Sequence, residues 1–225
     1  MAEFDKQHLK LVFKIVFYGP ALSGKTTNLM QLHTLLAPER KGELMVLETK
    51  DDRTLFFDLL PIGFRSGSGL DLRLKLYTVP GQVQHDSTRK AVLSRADGVV
   101  FVADSQHSQQ HNNASTFENL DQNLQKVGID IAQIPLAIQF NKRDLTDIIE
   151  EAALHQRWQA TPWPPVIMAS AIRGQGVLET FQLLLRRLYV QINPRYGLAD
   201  RFQIDEATFV ALLSRADTET GDVGL

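Results

Sequence analysis

A three-layer α/β fold, with a central and mostly parallel sheet flanked by helices, is predicted by three observations. Apolar runs of strand length alternate along the chain with stretches of helical character, the order that builds parallel sheets wrapped by helices. Gly98-Val99-Val100-Phe101-Val102-Ala103-Asp104 is apolar almost throughout, as a strand buried on both faces must be. Between one such strand and the helix after it, Gly19-Pro20-Ala21-Leu22-Ser23-Gly24-Lys25-Thr26 matches G-x-x-x-x-G-K-[ST], a loop that cradles phosphate at a helix N-terminus.

The elements follow in order. Leu11–Tyr18 is a buried strand, and Thr27–Leu36 the helix behind the glycine-rich loop. A polar connection, Ala37–Gly42, leads towards a hairpin. Its first arm is Leu55–Leu60, its turn Ser66-Gly67-Ser68-Gly69 and its second arm Leu70–Tyr77, where leucine alternates with polar residues as in a half-buried strand. The strand Gly98–Asp104 comes next, then a polar-faced helix from Asn113 to Val127. Ile134–Phe140 is another apolar strand, Val166–Ala169 a last short one, and Leu178–Val190 the closing helix.

The glycine-rich loop predicts its own chemistry. Glycines let the backbone curl until its N–H groups face inward on phosphate oxygens, and the helix N-terminus adds the positive end of a dipole. The loop residues Gly19, Ala21, Leu22, Ser23, Gly24 and Thr27 would surround the phosphates. Lys25 would reach the β- and γ-phosphates as a catalytic cation, and the Thr26 hydroxyl would coordinate Mg²⁺. Asn141-Lys142-Arg143-Asp144 fits N-K-x-D at the end of the Ile134–Phe140 strand. A carboxylate there accepts two hydrogen bonds from the N1–H and amino group of guanine. Adenine lacks that donor pair, and leaving a buried carboxylate unpaired is costly. The nucleotide expected is GTP or GDP, with Mg²⁺. At the end of the alternating strand, Thr78-Val79-Pro80-Gly81-Gln82 sits where Gly81 could bond a γ-oxygen and Gln82 orient the attacking water.

Composition narrows the class. A net charge of −2 offers no polybasic surface for nucleic acid or membrane. The absence of cysteine excludes disulfides, thiol catalysis and palmitoyl or prenyl anchors. Ala2 stands where myristoylation needs glycine, and the sequence has neither a signal peptide nor a long apolar span. The expectation is a cytoplasmic protein without a direct membrane anchor, recruited to any membrane or cell pole through partners.

Taken together, Phe17–Pro20, Leu22–Asn28, Asp52–Asp58, Tyr77–Val83, Val102–Ser105 and Asn141–Leu145 resemble the MglA family of bacterial small Ras-like GTPases of gliding motility and cell polarity. The similarity runs from about Leu11 to about Val190, and the threonine-headed T-V-P-G-Q is its most distinctive part. It implies a Ras-like P-loop GTPase fold, a GTP/GDP switch and a Roadblock-type partner (MglB) that stimulates hydrolysis. It further implies Thr54 as the switch threonine on Mg²⁺ and γ-phosphate, in preference to Thr49, because Thr54 directly precedes an apolar strand. Arg53 is implied as an arginine finger supplied in cis and Gln82 as the residue positioning water. Ser170 and Ala171 would form the loop backing the base.

Two departures from the family set expectations of slow hydrolysis. Ala21 replaces a glycine, placing a methyl group near where Gln82 and the arginine would crowd the γ-phosphate. Thr78 replaces the aspartate with which Ras-like proteins begin this motif, so that either Mg²⁺ binds less tightly or another carboxylate substitutes. A module that binds GTP or GDP without turning it over is the alternative. The chain is divided at 190, with an extension over 191–225 holding one short helix and a disordered end. The helix begins at Asp205-Glu206, and Phe209, Val210, Leu212 and Leu213 share a face. That face is expected either to fold back on the domain or to bind a partner.

Overall fold

A computed structural model describes residues 3–47, 57–80 and 86–216. β1 (Glu3–Asp5) and β2 (Lys10–Tyr18) lead into α1 (Lys25–Leu35). β3 (Met45–Leu47), β4 (Phe57–Arg65) and β5 (Asp71–Thr78) form an antiparallel edge, followed by α2 (Asp86–Leu93). β6 (Gly98–Asp104), α3 (Gln110–Lys126), β7 (Leu136–Asn141), α4 (Glu151–Gln159) and β8 (Val166–Met168) continue the alternation. The chain closes with α5 (Val177–Tyr196), α6 (Leu198–Phe202) and α7 (Glu206–Leu213).

One eight-stranded sheet results, in the order β3-β4-β5-β2-β6-β7-β8, with β1 attached to β2. β5, β2, β6, β7 and β8 are mutually parallel, while β3–β4 and β4–β5 are antiparallel. The α/β prediction therefore holds, with the expected hairpin supplying the antiparallel edge. Side chains alternate across the sheet. Phe13, Ile15 and Phe17 of β2 join a core with α1 and α5, whereas Val16 and Tyr18 join one with Leu120 and Leu124 of α3. β6 is apolar up to its last residue, Asp104, because Val100 and Val102 face the first core and Val99, Phe101 and Ala103 the second. On β5, Leu72, Leu74 and Leu76 are buried while Arg73 and Lys75 are exposed.

The C-terminal region departs from expectation. α5 does not stop at Val190 but runs to Tyr196, so a division at 190 falls inside a helix. Leu185, Leu188, Tyr189, Ile192 and Tyr196 are all buried, and this helical stripe carries the element onward. Pro194 cannot donate to the carbonyl four residues back, but Val190 is 65% exposed, where solvent can replace the missing bond. Beyond it lie two short helices rather than one. Asp205 caps α7, its Oδ1 accepting from the Thr208 amide at 2.8 Å. The helix lies against the domain: Phe209, Val210 and Leu213 are buried in the first core, and the Phe209 ring lies 5.5 Å from that of Tyr189. Ala37 then donates its amide to the Arg215 carbonyl at 3.0 Å, tying the tail to the end of α1. Residues beyond 216, where the disordered end was expected, lie outside the described region.

Phe209→Ala is expected to lower stability by about 3–5 kcal/mol, the usual cost of emptying a buried phenylalanine site. Urea unfolding checks this. A loss under about 0.5 kcal/mol, typical of surface positions, would mean that α7 contributes nothing to the core.

Candidate functional site

The cleft forms at the C-terminal ends of the parallel strands, where ligands bind in open α/β sheets. β2 ends at Tyr18, and the chain turns through two glycines before α1 begins. Gly19 has φ 155°, and a Cβ there would lie 2.2 Å from the Val102 carbonyl oxygen. Gly24 has φ 98°, and its Cβ would lie 2.2 Å from Asn141 Nδ2. Neither position admits a side chain. Between them Leu22 adopts φ 61° and is 87% exposed, while Ser23 is fully buried. Ala21 and Thr26 are exposed and Thr27 half-buried.

Lys25, the first residue of α1, is only 6% exposed. Its Nζ donates to the carbonyl oxygens of Gly19 at 3.0 Å and Pro20 at 2.7 Å. Burial pushes its pKa down to about 7, and the Arg89 guanidinium adds to that; the Asp58 carboxylate opposes both. A cation held by two neutral carbonyls is poorly compensated and strongly favours an arriving anion. A cleft of ≈ 310 Å³ opens beside it, lined among others by Gly24, Lys25, Thr26, Thr27, Asp58 and Thr78.

The N-K-x-D segment follows β7. Asn141 is 2% exposed. Its Nδ2 donates to the Ser23 carbonyl at 2.8 Å, and its Oδ1 accepts from the Ala171 amide at 2.8 Å. One carboxamide thus joins the phosphate loop to the loop after β8. Asp144 is half-buried, and its Oδ1 accepts from Ser170 Oγ at 2.6 Å. Lys142 adopts φ 67°, and its Nζ pairs with Asp104 Oδ2 at 2.6 Å. Thus Gly19, Ala21, Leu22, Ser23, Gly24, Lys25, Thr26 and Thr27 are brought together with Asn141, Lys142, Asp144, Ser170 and Ala171. Arg53, Thr54, Gly81 and Gln82, together with the competing Thr49, lie outside the described residues.

Several participants were not anticipated. Asn28 and Gln139 exchange two side-chain hydrogen bonds of 2.9 Å, and Asn28 Nδ2 also donates to the Gly24 carbonyl at 2.9 Å. Gln139 further donates to Thr180 Oγ1 at 3.0 Å, so this amide pair anchors the start of α1 to β7 and α5. A lone glutamine in the apolar run Leu136–Phe140 was the available signal. Asp104 similarly ends an apolar strand. Arg89 is 1% exposed. Its guanidinium donates to the Pro80 carbonyl at 3.0 Å and to Asn119 Oδ1 at 2.8 Å, and lies 5.5 Å from the Tyr18 ring. Only the fold reveals it. Asp58 is 5% exposed, its carboxylate accepting from the Thr78 hydroxyl at 3.1 Å.

A Ras-like sheet, a glycine-rich loop closing on a buried lysine, and an N-K-x-D segment braced against it define a small GTPase. The profile of the ADP-ribosylation factor family matches residues 62–188. Over 180 residues the chain is 43% identical to Mutual gliding-motility protein MglA of Myxococcus xanthus (strain DK1622), covering 80% of this chain and 92% of that protein. The chain belongs to the MglA-like small Ras-like GTPases within the ADP-ribosylation factor family. It binds guanine nucleotides and acts as a GTPase switch. Among the described residues, no helix is long and apolar enough to cross a membrane.

Proposed function

We propose that the chain binds GTP·Mg²⁺ in the cleft beside Lys25, hydrolyses it slowly, and switches conformation in the control of bacterial cell polarity or gliding motility. The single observation that carries this is the Asn141 carboxamide, which braces the phosphate loop against the base loop at 2.8 Å on each side. In this reading Lys25 binds the β- and γ-phosphates, assisted by the inward N–H groups of the loop. Asp144 accepts from guanine, held in orientation by Ser170, while Ala171 backs the base. Lys142, restrained by Asp104, covers the nucleoside. Thr54 and Gly81 contact the γ-phosphate, Arg53 stabilises the charge that develops as the bond to it breaks, and Gln82 holds the attacking water.

The oxygen donors lining the cleft, an alcohol on Thr26 and a buried carboxylate on Asp58, fit a hard divalent cation. Mg²⁺, when bound, neutralises charge on the β- and γ-phosphates. The protein works in the cytoplasm, reaches a cell pole through partners, and is stimulated by a Roadblock-type, MglB-like protein. Ala21 and Thr78 favour one second reading, a switch whose hydrolysis is impaired. Single-turnover GTP hydrolysis with and without such a partner separates the two. A rate unchanged by the partner and near that of free GTP leaves only the binding module.

Asp144→Asn is expected to weaken GTP binding and shift preference towards xanthosine triphosphate. An amide can donate to the carbonyl that replaces the guanine amino group, whereas a carboxylate cannot. Competition against a labelled guanine nucleotide checks this; equal affinity of the parent for ATP and GTP contradicts the assignment of Asp144.

A further inference from the structure

Thr78 stands where other Ras-like proteins carry an aspartate, and the cleft nevertheless holds a carboxylate there. β4 runs antiparallel to β5 with Leu59 opposite Tyr77, so Asp58 falls opposite Thr78. The Thr78 hydroxyl accepts the Asp58 amide at 2.8 Å and donates to Asp58 Oδ2 at 3.1 Å. Its one proton is therefore committed, and it cannot also donate to a metal-bound water. It serves instead to orient the carboxylate. Asp58 is 5% exposed and lines the same cleft as Lys25 and Thr26.

A carboxylate in that position requires a cation. Lys25 lines the same cleft and its charge is attracted by the Asp58 carboxylate, but an arriving triphosphate claims the same ammonium. The carboxylate would then face phosphate oxygens of like charge across a poorly solvated cleft, an arrangement that costs free energy unless a cation stands between them. Thr26, the first-turn alcohol, opens into the same space. We propose that Asp58 supplies, from the neighbouring strand, the carboxylate of the Mg²⁺ site, with Thr78 as its hydrogen-bonded orienter. This rests on the GTP·Mg²⁺ reading above. The carboxylate would thus come from β4 rather than from β5, one strand over.

The test uses the full chain loaded with a fluorescent GDP analogue, its release timed as Mg²⁺ is titrated. Asp58→Asn keeps the size of the side chain and its bond from Thr78 while removing the charge. It is expected to raise the Mg²⁺ midpoint by about 10–100-fold, the usual effect of losing a metal-site partner. Affinity for the analogue in excess chelator should equal or exceed the parent's, since the like-charge repulsion is gone. Thr78→Val keeps the carboxylate but removes the hydroxyl that orients it, so its midpoint should rise, by less than that of Asp58→Asn. A parent-like midpoint in Asp58→Asn overturns the proposal, as does an equal loss of affinity in chelator, which would show that Asp58 supports the nucleotide without Mg²⁺. A Thr78→Val midpoint raised as far as that of Asp58→Asn or further overturns it too, since the hydroxyl and not the carboxylate would then serve the metal. If Asp58→Asn does not fold, a parent-like midpoint in Thr78→Val removes the orienting role and with it the proposal. A parent whose release ignores Mg²⁺ is a distinct failure: it removes the GTP·Mg²⁺ reading itself, and this inference with it.

Discussion

Lys25→Ala is expected to abolish measurable binding of guanine nucleotide while leaving the fold at least as stable as the parent. The ammonium lies in a site that compensates it poorly: two backbone carbonyls accept its hydrogen bonds, and burial holds its pKa at about 7 despite the Asp58 carboxylate. An alanine removes a desolvated charge, so the nucleotide-free protein gives up little. The bound state loses far more. Charge-assisted bonds contribute roughly 1.5–3 kcal/mol each, so losing two of them weakens binding by about 10²–10⁴-fold. Arg89 cannot substitute, since its guanidinium is engaged with Pro80 and Asn119. Titration with a labelled guanine nucleotide, alongside thermal unfolding of both proteins, gives the answer. Unchanged affinity removes Lys25 from the phosphate site.

Arg53→Ala and Gln82→Leu are each expected to cut partner-stimulated hydrolysis while sparing nucleotide affinity. Stabilising the charge that spreads over the transferred phosphoryl oxygens is worth roughly 10³–10⁵ in rate when an arginine supplies it, so even a poorly seated finger leaves a large deficit when deleted. The glutamine acts on the other side of the same reaction, fixing the water. Both act on the transition state more than on bound GTP, which is why affinity should hold. Single-turnover rates with a Roadblock-type partner present, set against affinities from the same preparations, check both. Normal stimulated turnover in Arg53→Ala would place the finger elsewhere, on the partner or nowhere.

What could be read from the chain alone was what local pattern encodes. The glycine-rich loop announced itself because backbone curvature demands glycine at Gly19 and Gly24, and the half-buried strand β5 because its pleat alternates Leu72, Leu74 and Leu76 with Arg73 and Lys75. Three-residue strands such as β1 and β3 are too short to show any period. α4 escaped because it fully buries only Leu154, too little to write a stripe into its sequence. The closing helix expected to end at Val190 runs on to Tyr196 through Pro194, carried by the buried Ile192 and Tyr196. Asp58 was invisible as a site residue for a different reason. Within Leu55–Leu60 it is one polar position in an apolar arm, and only the register of β4 against β5 brings it opposite Thr78. The Asn28–Gln139 pair likewise depends on which strand α1 crosses.

The missing side chain at Gly24 has a consequence for how this chain can vary. The space a Cβ would fill is taken by the Asn141 amide, 2.2 Å away, so the two signature segments, read separately along the sequence, are halves of one joint. A library randomising both positions should return almost no functional clones with a changed residue at 24, whatever stands at 141, because φ 98° adds its own veto. At 141, survivors should be confined to side chains able to bond both Ser23 and Ala171. Base discrimination and phosphate affinity would then drift together among the clones, since a single lever works both ends of the nucleotide.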